Sequence, residues 1–520
     1  MTDGTATPES SCTATTCPYC GVGCGVQATV GADGTVRFRE AIDEHGPDSV
    51  AFYVSGQLLT EDYYVANKLM KGFIGSGNID TNSRLCMASS VAGHKRAFGT
   101  DTVPGLYEDL EQADLVVMVG SNLAWCHPVL YQRLQAARKE RGTRVVVVDP
   151  RRTATAETAD MHLALRPGSD VALFNGLLAW LAQTGGFDGT FIADHTAGVT
   201  AALRTAETAD PEWVATRCGL TLDQVLAFYK MFVRTERTVT VYSQGVNQSS
   251  AGTDKVNAII NCHLATGRIG RPGMGPFSVT GQPNAMGGRE TGGLANQLAC
   301  HLELDDLSHR DLVQGFWASP VIAGAAGLKA VDMFDAVADG RIKALWIMAT
   351  NPAVSLPDAD RVRDAIRQCP FVAVSDVTRA TDTAALAHVL LPAQAWGEKE
   401  GTVTNSERRI SRQRAFLPIP EDVRADWWMI SQVADRLGHG DAFDYAGPAD
   451  IFREYAALTV RANAALARDL DLGAMAAIDD GAYDALPPTL WPQRAEGASE
   501  DRFFADGGFF TSDGRGRFIA

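Results

Sequence analysis

The chain has 520 residues, long enough for two to four domains with well-buried cores. Its hydrophobic content of 46% and charged content of 21% are those of an ordinary globular protein, and no apolar run approaches the length of a membrane span. A net charge of −16 argues against a nucleic-acid partner, which needs a cationic face to displace counterions, so an anionic substrate has to be drawn in by a local basic site.

Met1 to Ser11 has neither an apolar core nor paired arginines, so no Sec or Tat signal is read and the expected location is cytoplasmic. Ten cysteines are too dilute for a disulfide scaffold, and in a reducing compartment clustered thiols hold a metal. One cluster stands out, Cys17-Pro-Tyr-Cys20-Gly-Val-Gly-Cys24. Three thiols in a glycine-rich loop with free backbone N–H groups suit an iron–sulfur cluster, with zinc as the competing metal. A cubane cluster takes four protein ligands, yet no cysteine follows until Cys86 and Cys12 is the one other thiol nearby.

Ser49 to Val54 reads as a short strand broken at Ser55-Gly56-Gln57, and Glu61 to Phe73 has helical periodicity. Polar breaks just after strands are where open α/β sheets place ligand contacts. The next stretch, Asn82-Ser-Arg-Leu-Cys86-Met87-Ala-Ser-Ser-Val-Ala-Gly93, sets one cysteine between a polar turn and a run of small residues. A free cysteine is most often a buried structural residue, but this setting also suits a soft thiolate offered to a redox metal.

An internal repeat organises the rest. Leu115 to Val119 runs into Gly120, Ser121 and Asn122, and Ala344 to Met348 runs into Ala349, Thr350 and Asn351. Val145 to Asp149 is matched by Phe371 to Asp376, and His162 to Pro167 by His388 to Pro392. Continuous apolar strands separated by helix-length segments predict parallel sheets covered on both faces. Asp149 and Asp376 close their strands as the ribose-binding acids of nucleotide-binding units do, but the glycine fingerprint of a standard NAD site is absent. Two half-sites of one design predict two nucleotide-like ligands, against the plainer alternative of one stable fold used twice without a ligand.

Arg151 and Arg152 supply donors suited to a pyrophosphate, and Gly168-Ser169-Asp170 either caps the helix that follows or touches a ligand. Gln244 to Gln248 ends another apolar strand, and the glycine-dense stretch Gly267 to Gly293, whose backbone can approach a ligand closely, carries Gln282, Asn284, Met286 and Arg289. Lys399 lies in a charge run, usually a solvated face, and Asp426 opens an amphipathic helix as a residue suited to cap it. The pairs Cys126-His127 and Cys262-His263 are read as structural, because adjacent residues in regular structure point apart.

The Cys86 segment in its Cys-Met-Ala-Ser form, the three-cysteine loop and Thr280-Gly-Gln-Pro-Asn-Ala-Met-Gly-Gly-Arg289-Glu290 resemble those of molybdopterin oxidoreductases, and among these the catalytic subunits of assimilatory nitrate reductases. The resemblance implies an α/β chain of two Rossmann-like parallel-sheet domains, residues 37–100 with 325–520 as one discontinuous unit and 101–324 inserted, behind an incomplete iron–sulfur segment at 1–36. It implies molybdenum bis-(molybdopterin guanine dinucleotide) with Cys86 as metal ligand, Met87 and Arg289 at the reaction site, and a 4Fe-4S cluster on Cys17, Cys20 and Cys24. Pterin contacts are implied at Gln57 and Asn82. Further cofactor contacts are implied at Gly120, Ser121, Asn122, Asp149, Arg151, Gly168, Asp170, Gln244 and Gln248, and at Asn351, Ser375, Asp376, Lys399 and Asp426.

The chain departs from the family in two places. The relatives' fourth cluster cysteine, followed by Lys-Gly, has no counterpart, and the sequence stops where their C-terminal barrel-like domain begins. The implied reaction is reduction of nitrate to nitrite, with electrons from a ferredoxin, a flavodoxin or an NADH-linked reductase subunit and with no nucleic-acid or membrane partner. The alternatives are a formate dehydrogenase of the same superfamily, which tends to have His where this chain has Met87, and a truncated cofactor-binding remnant without catalysis.

Overall fold

The computed structural model describes residues 12–16, 25–29, 33–497 and 502–520; Cys17, Cys20 and Cys24 lie outside them. β1 (Cys12–Thr16) and β2 (Gly25–Thr29) pair antiparallel with Cys12 opposite Thr29, and α1 (Asp33–His45) follows.

Every residue of β3 (Val50–Val54) is buried, as an interior parallel strand covered on both faces requires. In α2 (Thr60–Asn67) the Asp62 carboxylate reaches back to the Leu59 N–H at 2.9 Å, satisfying a donor left open at the helix start. The predicted helix to Phe73 is only partly α-helical: Lys68–Ile74 is a π-helical turn, stopped by Gly75 at φ 88°. β4 (Ile79–Thr81) then runs parallel to β3 and feeds α3 (Ser83–Phe98), which carries Cys86. Gly99 ends α3 in the left-handed region, its N–H donating to the Lys95 carbonyl at 3.0 Å.

The chain next builds a second sheet. β5 (Leu115–Val119), β6 (Arg144–Val148) and β7 (Met161–Leu163) lie side by side in parallel. After the helix Asp170–Gln183 and the short β8 (Thr196–Ala197), β9 (Thr238–Tyr242) and β10 (Gly275–Ser278) extend that sheet, giving the order β10-β9-β5-β6-β7. The chain then returns to the first sheet with β11 (Ala344–Met348), β12 (Phe371–Asp376) and β13 (Val389–Pro392), in the order β13-β12-β11-β3-β4. The expected α/β architecture of parallel sheets is therefore what forms, and each copy of the repeated strand series supplies three adjacent strands of one sheet.

Trp346 on β11 anchors the first core, packing edge-on to Phe52 with ring centroids 5.4 Å apart and lying 6.1 Å from Phe38. Its buried indole N–H donates to Ser375 Oγ at 2.8 Å.

The tail beyond β13 adds an antiparallel group, β14 (Gly401–Thr404), β15 (Arg409–Gln413) and β16 (Thr489–Leu490), and ends in β17 (Gly516–Arg517). That last segment, expected with the first sheet, crosses to the inserted region. β17 pairs with β8, and Asn261 exchanges hydrogen bonds with the Ile519 backbone at 2.8 and 3.1 Å. Phe503, Phe504, Phe509 and Phe518 are all buried there, which is the apolar reason for the crossing.

Trp346→Ala is expected to lower unfolding stability by about 3–5 kcal/mol, the range for deleting a buried Trp. Ser375→Ala, which only leaves the indole N–H without its acceptor, is expected to cost about 1–3 kcal/mol. Urea unfolding of the two variants checks both values and their order.

Candidate active site

The carboxyl ends of the strands of both sheets meet around Cys86. Ser55-Gly56-Gln57 follows β3, Asn82 follows β4, Gly120-Ser121-Asn122 follows β5, Gln244 follows β9, Thr280 to Gln282 follows β10 and Thr350-Asn351 follows β11. This is the crevice in which open α/β sheets bind ligands. Side-chain amides cross-link it: Asn82 Oδ1 accepts from Gln282 Nε2 at 2.8 Å and from the Gly56 N–H at 3.0 Å, while Asn82 Nδ2 donates to Thr350 Oγ1 at 3.2 Å. Ser83 Oγ donates to Gln282 Oε1 at 2.7 Å.

Cys86 sits near the start of α3, half-buried, with the Gln244 amide directed at its sulfur from 3.7 Å. Met87 is buried beside it, and Gln57 and Gln248 are exposed. Gly120 and Gly245 come so close that a Cβ on either would lie 2.6 Å from the Cα of the other. Only glycine allows that approach of the two turns.

On the second sheet, Asp149 Oδ1 accepts from the Arg151 N–H at 2.9 Å, and the exposed Arg151 guanidinium lies over the Trp125 ring at 5.7 Å. Asn122 Oδ1 accepts from Thr155 Oγ1 at 2.8 Å, whereas the buried Ser121 hydroxyl has no partner among the described residues. Asp170 is paired with Lys255 at 2.8 Å, and Gly168 lines a cavity of about 210 Å³ with Asn175, Trp213 and Arg217.

On the first sheet, Asn351 Oδ1 accepts from Thr383 Oγ1 at 2.7 Å, and Ser375 is already engaged by Trp346. Burial, with the nearby Asp426 charge adding to it, raises the Asp376 carboxyl above the usual range. Lys399 and Asp426 are both buried and paired with each other, leaving Asp426 Oδ1 without a partner among the described residues.

Arg289 is buried on the short helix Ala285–Glu290, its Nε 3.1 Å from Asp101 Oδ2. His94 on α3 lies 3.7 Å from Asp101 Oδ1 and bonds the Tyr242 hydroxyl at 2.8 Å through its other ring nitrogen. Asp101, His94 and Gln282 were not singled out as site residues from the sequence. Gln282 was visible within its glycine-rich loop, but nothing local marks Asp101, whose partners come from distant segments. Arg84 is committed to Asp80 by two bonds of 3.0 Å and to Asn296 by a third of 3.0 Å.

Burial works to raise the Asp101 carboxyl, but Arg289, with His94 and His301, outweighs it and holds the group well below the carboxylate range. A depressed carboxyl stabilises the fold above its unfolded pKa of about 4, and that stability is lost as pH falls toward the folded value. Acidification from about pH 4 downward should therefore lower the thermal midpoint, with a shallower acid limb in Asp101→Asn. At neutral pH that variant is expected to be less stable by about 3–5 kcal/mol, because Arg289 is left buried without its counter-charge.

Comparison with known proteins fits this geometry. Residues 36–436 match the family model described as molybdopterin oxidoreductase, and residues 10–48 match the molybdopterin oxidoreductase Fe4S4 domain. A nitrate reductase of Klebsiella oxytoca is 52% identical over 94% of this chain, which spans 62% of that protein's length. The alpha subunit of a formate dehydrogenase from Methanocaldococcus jannaschii is 32% identical over 91% of the chain and 67% of its own length. Among solved structures, acetylene hydratase from Pelobacter acetylenicus superposes with a TM-score of 0.71 at 17% identity, over 94% of this chain and 67% of that one. The chain belongs to the molybdopterin oxidoreductase family.

Proposed function

We propose that the chain is the catalytic part of a molybdenum-dependent nitrate reductase, reducing nitrate to nitrite. The observation that carries this reading is the half-buried Cys86 thiol at the meeting point of the two carboxyl edges, in a chain 52% identical to a nitrate reductase. Residues 37–100 with 325–520, whose last segment reaches across to the other unit, and 101–324 are taken as the two units that face each other there.

The side chains fit a bis-(molybdopterin guanine dinucleotide). Ser121 Oγ and Asp426 Oδ1 are buried polar atoms without partners among the described residues, one associated with each sheet, and such atoms call for a hydrogen-bonding ligand or water. Cys86 would hold the metal, and Gln57, Asn82, Gln244 and Gln248 would orient the pterins. Gly120, Asn122, Asp149, Arg151, Gly168 and Asp170 would hold one nucleotide arm. Asn351, Ser375, Asp376, Lys399 and Asp426 would hold the other. With Lys399 already neutralising one side of Asp426, its Oδ1, unpartnered among the described residues, is the acceptor left for a guanine N–H.

When bound, the metal and its pterins supply the two-electron chemistry. The protein's part is positional and electrostatic. Arg289 keeps Nη1 free of any partner among the described residues, and a guanidinium donor in a dry site binds an oxyanion more strongly than water does. Asp101 and His94 fix the angle at which that donor is held. Met87, buried next to Cys86 on α3, is proposed to line the same reaction site. Cys17, Cys20 and Cys24 are the ligands proposed for the cluster through which electrons would enter. A ferredoxin, a flavodoxin or an NADH-linked reductase subunit is the proposed donor. No described helix is long and apolar enough to cross a membrane, and the cytoplasm is the proposed compartment.

The test is nitrite formation by the purified chain with reduced viologen as electron source. Cys86→Ala is expected to lower the rate by ~10²-fold or more, since even residues behind a metal ligand cost 10–100-fold. Formate oxidation without nitrate reduction would overturn the reading in favour of the dehydrogenase.

A further inference from the structure

Lys71 sits on the π-helical turn Lys68–Ile74 and has no exposed surface. Its ammonium donates to the carbonyl oxygens of Gly292 at 2.6 Å, Gln297 at 2.6 Å and Leu294 at 3.0 Å, and to Asn67 Oδ1 at 3.0 Å. Among the described residues no carboxylate bonds it directly. An ammonium stripped of water is held in a dry interior only by a dense set of acceptors, and here three of the four are main-chain carbonyls of one loop. Burial pulls the group down to about 7, with Asp80 opposing the shift.

That loop is gripped from its other side as well. Asp80 Oδ1 accepts from the Ala295 N–H at 3.1 Å and from Arg84 Nη2 at 3.0 Å, and Arg84 Nη2 also donates to Asn296 Oδ1 at 3.0 Å. Arg84 belongs to the same first turns of α3 as Cys86. Lys71 therefore fixes the carbonyl side of the loop, while its amide and side-chain side is tied to the helix that presents the thiol.

We propose that Lys71 is a positioning residue for Cys86: it shapes residues 292–297, and through Asn296 and Arg84 it holds the start of α3 so that the thiol stays half-buried. The role concerns the chain's own thiol and is independent of the oxyanion reduced.

The test uses the full chain without added metal, alkylated by iodoacetamide under native conditions, with modification of Cys86 and of the exposed Cys126 followed by peptide mass spectrometry. Lys71→Met and Asn296→Ala are each expected to speed Cys86 alkylation by about fivefold or more, the local opening that follows one lost hydrogen bond, with Cys126 unchanged. Lys71→Arg, which keeps a cation and its donors, should return Cys86 to the native rate. Should Lys71→Met fail to fold, Asn296→Ala decides alone, because it cuts the link at a half-buried position. A native Cys86 rate in Asn296→Ala, a parallel rise at Cys126, or Lys71→Arg behaving like Lys71→Met would overturn the proposal.

Discussion

The hydrogen bond between Asn82 and Gln282 joins the loop after β4 of one sheet to the loop after β10 of the other. Most of the candidate site depends on that join. Parallel sheets direct their carboxyl-end loops to one side, so two such sheets make a two-walled crevice only if those edges are kept facing each other. Asn82 does this through both ends of its amide, accepting from Gln282 and Gly56 and donating to Thr350. Gly120 and Gly245 bring two turns of the second sheet into backbone contact beside it. Cys86 follows Asn82 by one helical turn and inherits its position from that arrangement.

Behind the crevice lies a layer of buried charge. Arg289 with Asp101, and Lys399 with Asp426, are opposite charges withdrawn from water together. Such pairs add little net stability over apolar packing, but losing one member is costly, so they fix geometry more than they strengthen the fold. Each also keeps a polar atom without a partner among the described residues, Nη1 of Arg289 and Oδ1 of Asp426. A side chain whose charge is balanced on one side and whose other donor or acceptor stays available is already oriented for a ligand. That preorganisation is where electrostatic binding in a dry site gains its strength.

What the sequence made legible was local. The two strand series were visible because five-residue apolar runs need no distant partner to be recognised, and they fell into adjacent strands of two sheets. The Cys86 turn was visible because its polar and small residues are contiguous. The helical run from Glu61 to Phe73 forms, but apolar periodicity does not distinguish an α-helix from the π-helical turn at Lys68–Ile74. Asp101 was invisible for a different reason: its meaning comes from Arg289 and His94, which arrive from other segments of the chain. Lys71 left even less trace, because main-chain carbonyls carry no residue identity. The pairing of Lys399 with Asp426 likewise needs coordinates, because 27 positions separate them and no local pattern joins them.

X-ray absorption at the molybdenum edge reads whether Cys86 is the protein ligand of molybdenum. The metal-loaded chain is compared with its Cys86→Ser variant, loaded in the same way. If Cys86 is the ligand, the variant's metal shell loses one sulfur neighbour and gains a lighter one. An unchanged sulfur shell in a variant that still holds the metal would contradict the assignment, and the crevice would then bind its cofactor without a thiolate from this helix.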